Sequence, residues 1–216
     1  MRRRSTRPRR KGAEAIQPPL TSETLRGAAI LPHLVALARL RIEVFRAWPY
    51  LYEGDEAYER DYVATYAASE RAAIVIARDG DAIVGASTCL PLTDEDEAMQ
   101  APFRAAGVDP ASVFYFGESV LLPAYRGRGV GVAFFREREA HARAVSGATH
   151  AAFCAVIRDD ADPRRPADAT TLDAFWRKRG YAPASGLVCH MRWREIGSAH
   201  EVENRLQVWM KPLGGT

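Results

Sequence analysis

The sequence predicts a single α+β domain, and three stretches carry that prediction. Residues 113–145 read as a strand, a glycine-rich loop and a helix in succession. Residues 72–90 read as a β-hairpin, and residues 186–193 and 204–211 read as a closing pair of strands. At 216 residues, 47% hydrophobic and 26% charged, the chain is long enough for one well-buried core and short for two.

Residues 1–12 stand apart from the body at 13–216. Arg2, Arg3, Arg4, Arg7, Arg9, Arg10 and Lys11 carry seven positive charges with no acid among them; subtracting these from the formal net charge of +3 leaves the remainder at −4. Such an arm could touch nucleic-acid phosphates, but no aromatic residue is interleaved for base stacking, and a solvated, disordered tail is expected. Residues 14–21 (EAIQPPLT) make a poor strand because Pro18 and Pro19 break it. Leu34, Leu37, Leu40/Arg41, Val44 and Phe45 follow Pro32 at helical spacing, which predicts a helix over about 30–46. A second helix is expected over 55–69, with Tyr58, Tyr62 and Tyr66 on one face.

The apolar runs 72–77 and 82–90 flank Asp79-Gly80-Asp81, a strong hairpin signal with the turn at the glycine. Thr93 is expected to cap a helix whose start is rich in Asp94, Glu95, Asp96 and Glu97, an acidic run that reads as a solvated helix start. Between Pro110 and Pro123, Val113 to Leu121 (VFYFGESVL) suits one buried strand interrupted only by Gly117 and Glu118. A helix over 130–145 follows, then a strand over 150–157, a Pro- and charge-rich loop over 158–168 and a short helix over 170–180 ended by Gly180. The last two strands should pair across the loop at 194–203.

The loop Arg126-Gly127-Arg128-Gly129-Val130-Gly131 aims backbone N–H groups and the positive end of a helix dipole at one point, which favours a phosphate-bearing ligand. A P-loop would end in Gly-Lys-Ser/Thr, which is absent. The dinucleotide fingerprint fails because Val132 stands where the third glycine belongs. Cys89, Cys154 and Cys189, odd in number and widely spaced, read as buried thiols in a reducing cytoplasm. The five histidines show no ligand spacing, so no metal is expected, and no stretch approaches 18 uninterrupted apolar residues, so no membrane span is expected.

The remaining pattern, R-x-x-G-x-G between the strand GESVLLP and a helix, with FWRKRGY downstream, resembles the GNAT superfamily of N-acetyltransferases over about half the chain. The resemblance implies a mixed, mostly antiparallel central sheet of six to seven strands flanked by helices on both faces. It implies transfer of an acetyl group from acetyl-CoA to a primary amine by direct attack in a ternary complex. Arg126, Gly127, Arg128, Gly129, Val130 and Gly131 would hold the CoA diphosphate, mainly through their backbone. A strand N–H from Val120, Leu121 or Leu122 would polarise the thioester carbonyl.

Glu118 is the candidate catalytic base that binds or deprotonates the amine, the alternative being a carboxylate paired with an arginine in the sheet. Many members place a tyrosine four residues before the glycine of FWRKRGY to protonate the CoA thiolate. Trp176 stands there, and an indole cannot serve as that acid, so thiolate leaves unassisted or Tyr115, Tyr125 or Tyr181 substitutes. Phe175 and Trp176 are expected beside the pantetheine arm or in the core. Tyr50, Tyr52 and Glu53, in the segment joining the first two helices, are candidate contacts to a small-molecule or protein amine. A homodimer through the last strands is among the arrangements the resemblance implies. The other readings are a non-catalytic acyl-CoA-binding module, for which Trp176 is the hint, and a nucleic-acid-binding protein led by the basic arm.

Overall fold

The structure, a computed structural model, describes residues 20–214. The basic arm and residues 14–19 of the weak strand prediction lie outside the described residues. Eight strands form one sheet: β1 (Thr21–Leu25), β2 (Ala73–Asp79), β3 (Ala82–Pro91), β4 (Val113–Tyr115), β5 (Ser119–Leu121), β6 (His150–Val156), β7 (Ala182–Arg194) and β8 (Glu201–Pro212). Their order is β1-β2-β3-β4-β6-β8-β7, with β5 a second partner of β3. The β4–β6 pairing is parallel and the rest are antiparallel.

Alternation along β2 shows why helices must cover both faces. Ile74 and Ile76 point into a core built with Leu37 and Leu40 of α1 (Leu34–Phe45), Val63 and Tyr66 of α2 (Glu56–Ala68), and Met99 and Phe103 of α3 (Glu97–Ala105). Val75 and Ala77 point the other way, against Val130 and Phe134 of α4 (Val130–Val145). The same face continues under Phe114, Phe135, Phe153 and Trp209, where α5 (Asp173–Arg177) packs. Every residue of β2 from Ala73 to Ala77 is therefore buried.

Two expectations change. Asp96, not Thr93, caps α3: its Oδ1 accepts the Met99 N–H at 2.8 Å, so Asp94, in the 3₁₀ turn that closes β3, and Glu95, just after that turn, sit ahead of the helix. The continuous strand expected over 113–121 is broken into β4 and β5, which is why eight segments replace six or seven. Phe116 still donates to the Ala152 carbonyl (2.7 Å), but Gly117 turns its N–H to Thr88 O (3.2 Å), and the chain then follows β3 alone. A Cβ on Gly117 would lie 2.5 Å from Tyr66 Oη and 2.6 Å from Thr88 Oγ1, so only glycine fits the break. Arg138 of α4, 1% exposed, holds it from the other face by donating through Nη1 to Thr88 O (3.3 Å) and Glu118 O (3.2 Å).

Candidate active site

The loop before α4 owes its shape to two glycines. Gly127 (φ 76°) and Gly129 (φ 83°) occupy the left-handed region, and Gly129 is the N-cap. A glycine cap has no side chain to bond the first-turn N–H groups; Val132 bonds back to Gly129 O (3.0 Å), and the N–H groups of Val130 and Gly131 remain for a ligand. Gly131 acts differently from these two glycines. It is helical, and a Cβ there would approach Phe175 Cζ to 3.1 Å, so its smallness admits Phe175. Tyr125 ties the turn to β2 by donating to Asp79 Oδ2 (3.0 Å), and the Arg128 guanidinium lies 5.6 Å over the Tyr125 ring. The Arg126 side chain is exposed. A groove of about 300 Å³ runs along α4 past Val132, Phe135 and Arg136 to Arg179.

Where β4 and β5 part, β5 leaves β6. The Thr88 N–H bonds Glu118 O (3.1 Å) and the Leu122 N–H bonds Val84 O (3.0 Å), with Gly85 opposite Leu121 and Ser87 opposite Ser119. In an antiparallel ladder of this register, residues 118, 120 and 122 face β3, and Ser119 and Leu121 direct their N–H groups into the gap toward β6. Of Val120, Leu121 and Leu122, then, Leu121 alone aims an N–H at the gap. The Val120 side chain is wholly buried in the core and Leu121 packs beside Val130 and Phe134.

On the opposite face of the break lies a buried polar cluster. Glu118 Oε1 is ion-paired with Arg41 Nη1 of α1, and its Oε2 accepts from the Tyr62 hydroxyl at 3.4 Å. Arg41 also donates through Nε to Glu59 Oε2 and lies 4.3 Å over the Tyr62 ring. The Tyr62 and Tyr66 hydroxyls are 3.1 Å apart, and Thr88 Oγ1 donates to Tyr66 Oη at 3.2 Å and accepts the Glu118 N–H at 3.1 Å. The arginine foreseen as an alternative partner of Glu118 is present, supplied by a helix. Burial alone would lower the Arg41 guanidinium, but Glu118, Tyr62 and Glu59 together raise it well above its ordinary value. Two carboxylates share one guanidinium, leaving the cluster with a formal charge of −1.

The segment joining α1 and α2 is pinned down, not loose. Arg158 donates to Pro49 O (2.6 Å), Tyr50 O (3.0 Å) and Glu195 Oε1 (2.6 Å), and Trp193 Nε1 also donates to Tyr50 O (3.0 Å). The Tyr50 ring packs 4.4 Å from Phe45 and 5.9 Å from Trp193. Its hydroxyl is pushed up to about 12, first by burial and then by the Glu118 charge. Tyr52 is raised by burial and by Glu59. Both tyrosines thus converge on the carboxylate cluster. Glu53 does not: its N–H bonds Arg194 O and its carboxylate lies 3.8 Å from Arg194 Nε at the end of β7.

Phe175 leans on the start of α4, 6.0 Å from Phe135, with the Arg179 guanidinium 3.3 Å over its ring. Trp176 is drawn into the core, 5.1 Å from Phe153 and 5.0 Å from Trp209. Of the tyrosines that could have replaced an acid there, Tyr181 is buried and donates to Glu139 (3.1 Å), Tyr125 is bound to Asp79, and Tyr115 lies buried in the core shared with α1 and α2.

Four residues went unrecognised in the sequence: Arg41, Glu59, Glu95 and Arg138. Arg41 left one trace, a cation in an otherwise apolar stripe between Leu37 and Phe45. Glu95 left none, since three acids surround it; it is partly buried, and it is raised to about 7 by burial and by the charges of Asp96 and Glu118. Among the described residues no group of three or more His, Cys, Asp and Glu side chains could hold a metal ion, and no helix is long and apolar enough to cross a membrane.

Comparison with solved structures matches this fold broadly. An N-acetyltransferase from Staphylococcus aureus superposes with a TM-score of 0.59 at 11% identity, covering 91% of this chain and 100% of its own. The yncA protein of Salmonella typhimurium, solved with its cofactor acetyl-CoA, gives 0.57 at 10% identity over 91% and 95%. A ribosomal-protein-alanine N-acetyltransferase from Brucella melitensis gives 0.57 at 12% identity over 88% and 99%. No curated protein matches the sequence. Residues 37–165, which include most of α1, the split strand, the glycine loop and β6, match the acetyltransferase (GNAT) family. The chain belongs to the GNAT acetyltransferase family.

Proposed function

We propose that the protein is a CoA-dependent N-acetyltransferase that moves an acetyl group from acetyl-CoA to a primary amine by direct attack in a ternary complex. The single observation that carries this reading is the parting of β5 from β6 beside the start of α4, where Leu121 packs against Val130 and Phe134 and no cap side chain bonds the helix's first N–H groups. The donors suit acetyl-CoA. Backbone from Arg126 to Gly131 would grip the diphosphate, Arg126 and Arg128 would add charge, and Phe175 would line the approach, with Trp176 packed behind it against Phe153 and Trp209. Acetyl-CoA supplies an activated acyl carbonyl when bound. The Leu121 N–H would bond the carbonyl oxygen more strongly as charge develops on it, with Val120 and Leu122 keeping that N–H aimed by their own place in the ladder.

The amine would enter from the α1–α2 face, where Glu118, Glu59, Tyr50 and Tyr52 converge and the net negative charge favours an ammonium. Both oxygens of Glu118 are engaged by Arg41 and Tyr62, so Glu118 serves in this reading as the counter-charge that orients the nitrogen. Glu53, paired at the sheet edge, contributes at most to the rim. The acceptor is a small amine or an amine of a protein, and the activity is a cytoplasmic one.

A thermal-shift panel tests the reading. Acetyl-CoA at about 100 times its Kd should stabilise the protein by about 2.7 kcal/mol, a midpoint shift of about 5–10 °C, and ATP and NADH should not. Equal shifts with all three would end it. The core position of Trp176 and the bound hydroxyl of Tyr181 favour a second reading, an acyl-CoA-binding module without turnover. Acetyl-CoA binding with no amine-dependent CoA release would select it.

A further inference from the structure

The groove along α4 carries more positive charge than the fold itself uses. It holds about 300 Å³ and starts at Val132, in the first turn of the helix, next to the Val130 and Gly131 N–H groups left for a ligand. Four cations line it, Arg136, Arg143, Arg179 and Lys211, against the carboxylate of Glu139. Glu139 is already engaged: Lys211 Nζ lies 2.9 Å from both of its oxygens, Arg143 Nη2 lies 3.4 Å from Oε2, and the Tyr181 hydroxyl donates to Oε1 at 3.1 Å. Arg136 donates through Nη2 to its neighbour Glu137 (2.7 Å), and its side chain is exposed. Arg179 differs from the other three. Among the described residues no carboxylate pairs with it; its Nη1 donates to the Phe175 carbonyl, and its Nε is buried with no partner. Its guanidinium lies 3.3 Å over the Phe175 ring, the same ring that a Cβ on Gly131 would meet at 3.1 Å. A partly buried cation without a counter-charge thus stands one aromatic ring away from the glycine turn. Such a charge is costly to bury unless an anion joins it.

We infer that this groove seats the adenosine end of acetyl-CoA, with Arg179 and Arg136 binding the phosphate on its ribose. The inference rests on the acetyltransferase reading, which puts the diphosphate at the start of α4 and the thioester at the gap between β5 and β6. The nucleoside end must then leave over the surface, and the groove is the concavity that begins at the turn. Its chemistry fits both parts of a phosphorylated nucleoside. The half-exposed Val132 offers apolar area to the base, and guanidinium groups match phosphate oxygens in charge and in shape. A phosphate monoester is at least singly and mostly doubly charged at neutral pH, so it supplies the counter-charge that Arg179 lacks within the chain. The protein would thereby tell acetyl-CoA from acyl donors without the ribose phosphate.

Calorimetric titration of the full chain with acetyl-CoA and with acetyl-dephospho-CoA, which lacks only the ribose phosphate, tests it. The wild type should bind the dephospho donor about 10- to 100-fold more weakly, the loss expected for charge-assisted hydrogen bonds. Arg179→Gln should weaken acetyl-CoA by a similar factor and leave the dephospho donor as the wild type binds it, so that the two affinities converge. Arg136→Gln should narrow the ratio less, because its side chain is exposed and screened. Arg179→Lys keeps the charge and should retain part of the ratio, which separates a lost phosphate contact from a disturbed helix. Because both donors are compared on each variant, damage to the fold would weaken them together. Equal affinity of the wild type for the two donors, or a ratio that Arg179→Gln leaves unchanged, overturns the inference and leaves the acetyltransferase reading standing. Binding of neither donor by the wild type overturns both.

Discussion

Arg41 decides whether Glu118 and Glu59 can coexist in the interior. Two buried carboxylates facing one another without it would be strongly unfavourable, so Arg41→Met should cost about 3–5 kcal/mol in urea unfolding at pH 7. A loss below 1 kcal/mol would mean that the cluster is open to water. Glu95 makes the opposite kind of statement. Its folded value of about 7 lies above the ordinary 4.5, so between those pH values the folded protein holds a proton that the unfolded chain has released. Stability must therefore fall as pH rises from about 4.5 to 7, by roughly 2–3 kcal/mol once partial exposure is allowed for. Subtracting the Glu95→Gln profile from the wild-type profile isolates this contribution; a flat difference would show the carboxyl to be an ordinary surface acid.

At the level of elements, the strand break and the glycine turn each depend on the absence of a side chain. Gly117→Ala would push a methyl against Tyr66 Oη and Thr88 Oγ1, two atoms fixed by hydrogen bonds to each other. A loss of about 1–3 kcal/mol in unfolding free energy is expected. Because Thr88 also receives the Glu118 N–H, acceptor KM should rise with it. Gly129→Ala meets no atom within 4 Å, but it must hold φ near 83°, which costs about 1–2 kcal/mol. The expected signature is a weaker thermal shift with acetyl-CoA, alongside unchanged acceptor KM. The hairpin at Asp79-Gly80-Asp81 and the closing strands needed no such tertiary help, and both were legible as short-range patterns of alternation and turn residues.

Across the whole molecule, the parted sheet needs ties between its two halves. β4 and β6 share three residue pairs, and Phe116 adds one bond more. Arg158 supplies a further tie at the far end, joining the α1–α2 segment to Glu195 beyond β7. Arg158→Ala should cost about 1.5–3 kcal/mol and raise acceptor KM several-fold, with acetyl-CoA affinity unchanged. An unchanged KM would detach this segment from the acceptor site.

Periodicity and turn chemistry were enough to read from the chain the α+β class, the hairpin, the existence and order of the helices and the glycine loop, though not each helix's first turn, because each is set by residues within a few positions of one another. The family followed from a short ordered series of such pieces. The pairing of Arg41 with Glu118, the burial of Glu95, the retreat of Trp176 into the core and the break at Gly117 could not be read that way. Each depends on groups far apart in sequence, such as Thr88 and Arg138 at the break, that meet only when the sheet and its helices pack. Burial and neighbouring charge raise Glu95 and Arg41 only in the folded protein, where those fields exist.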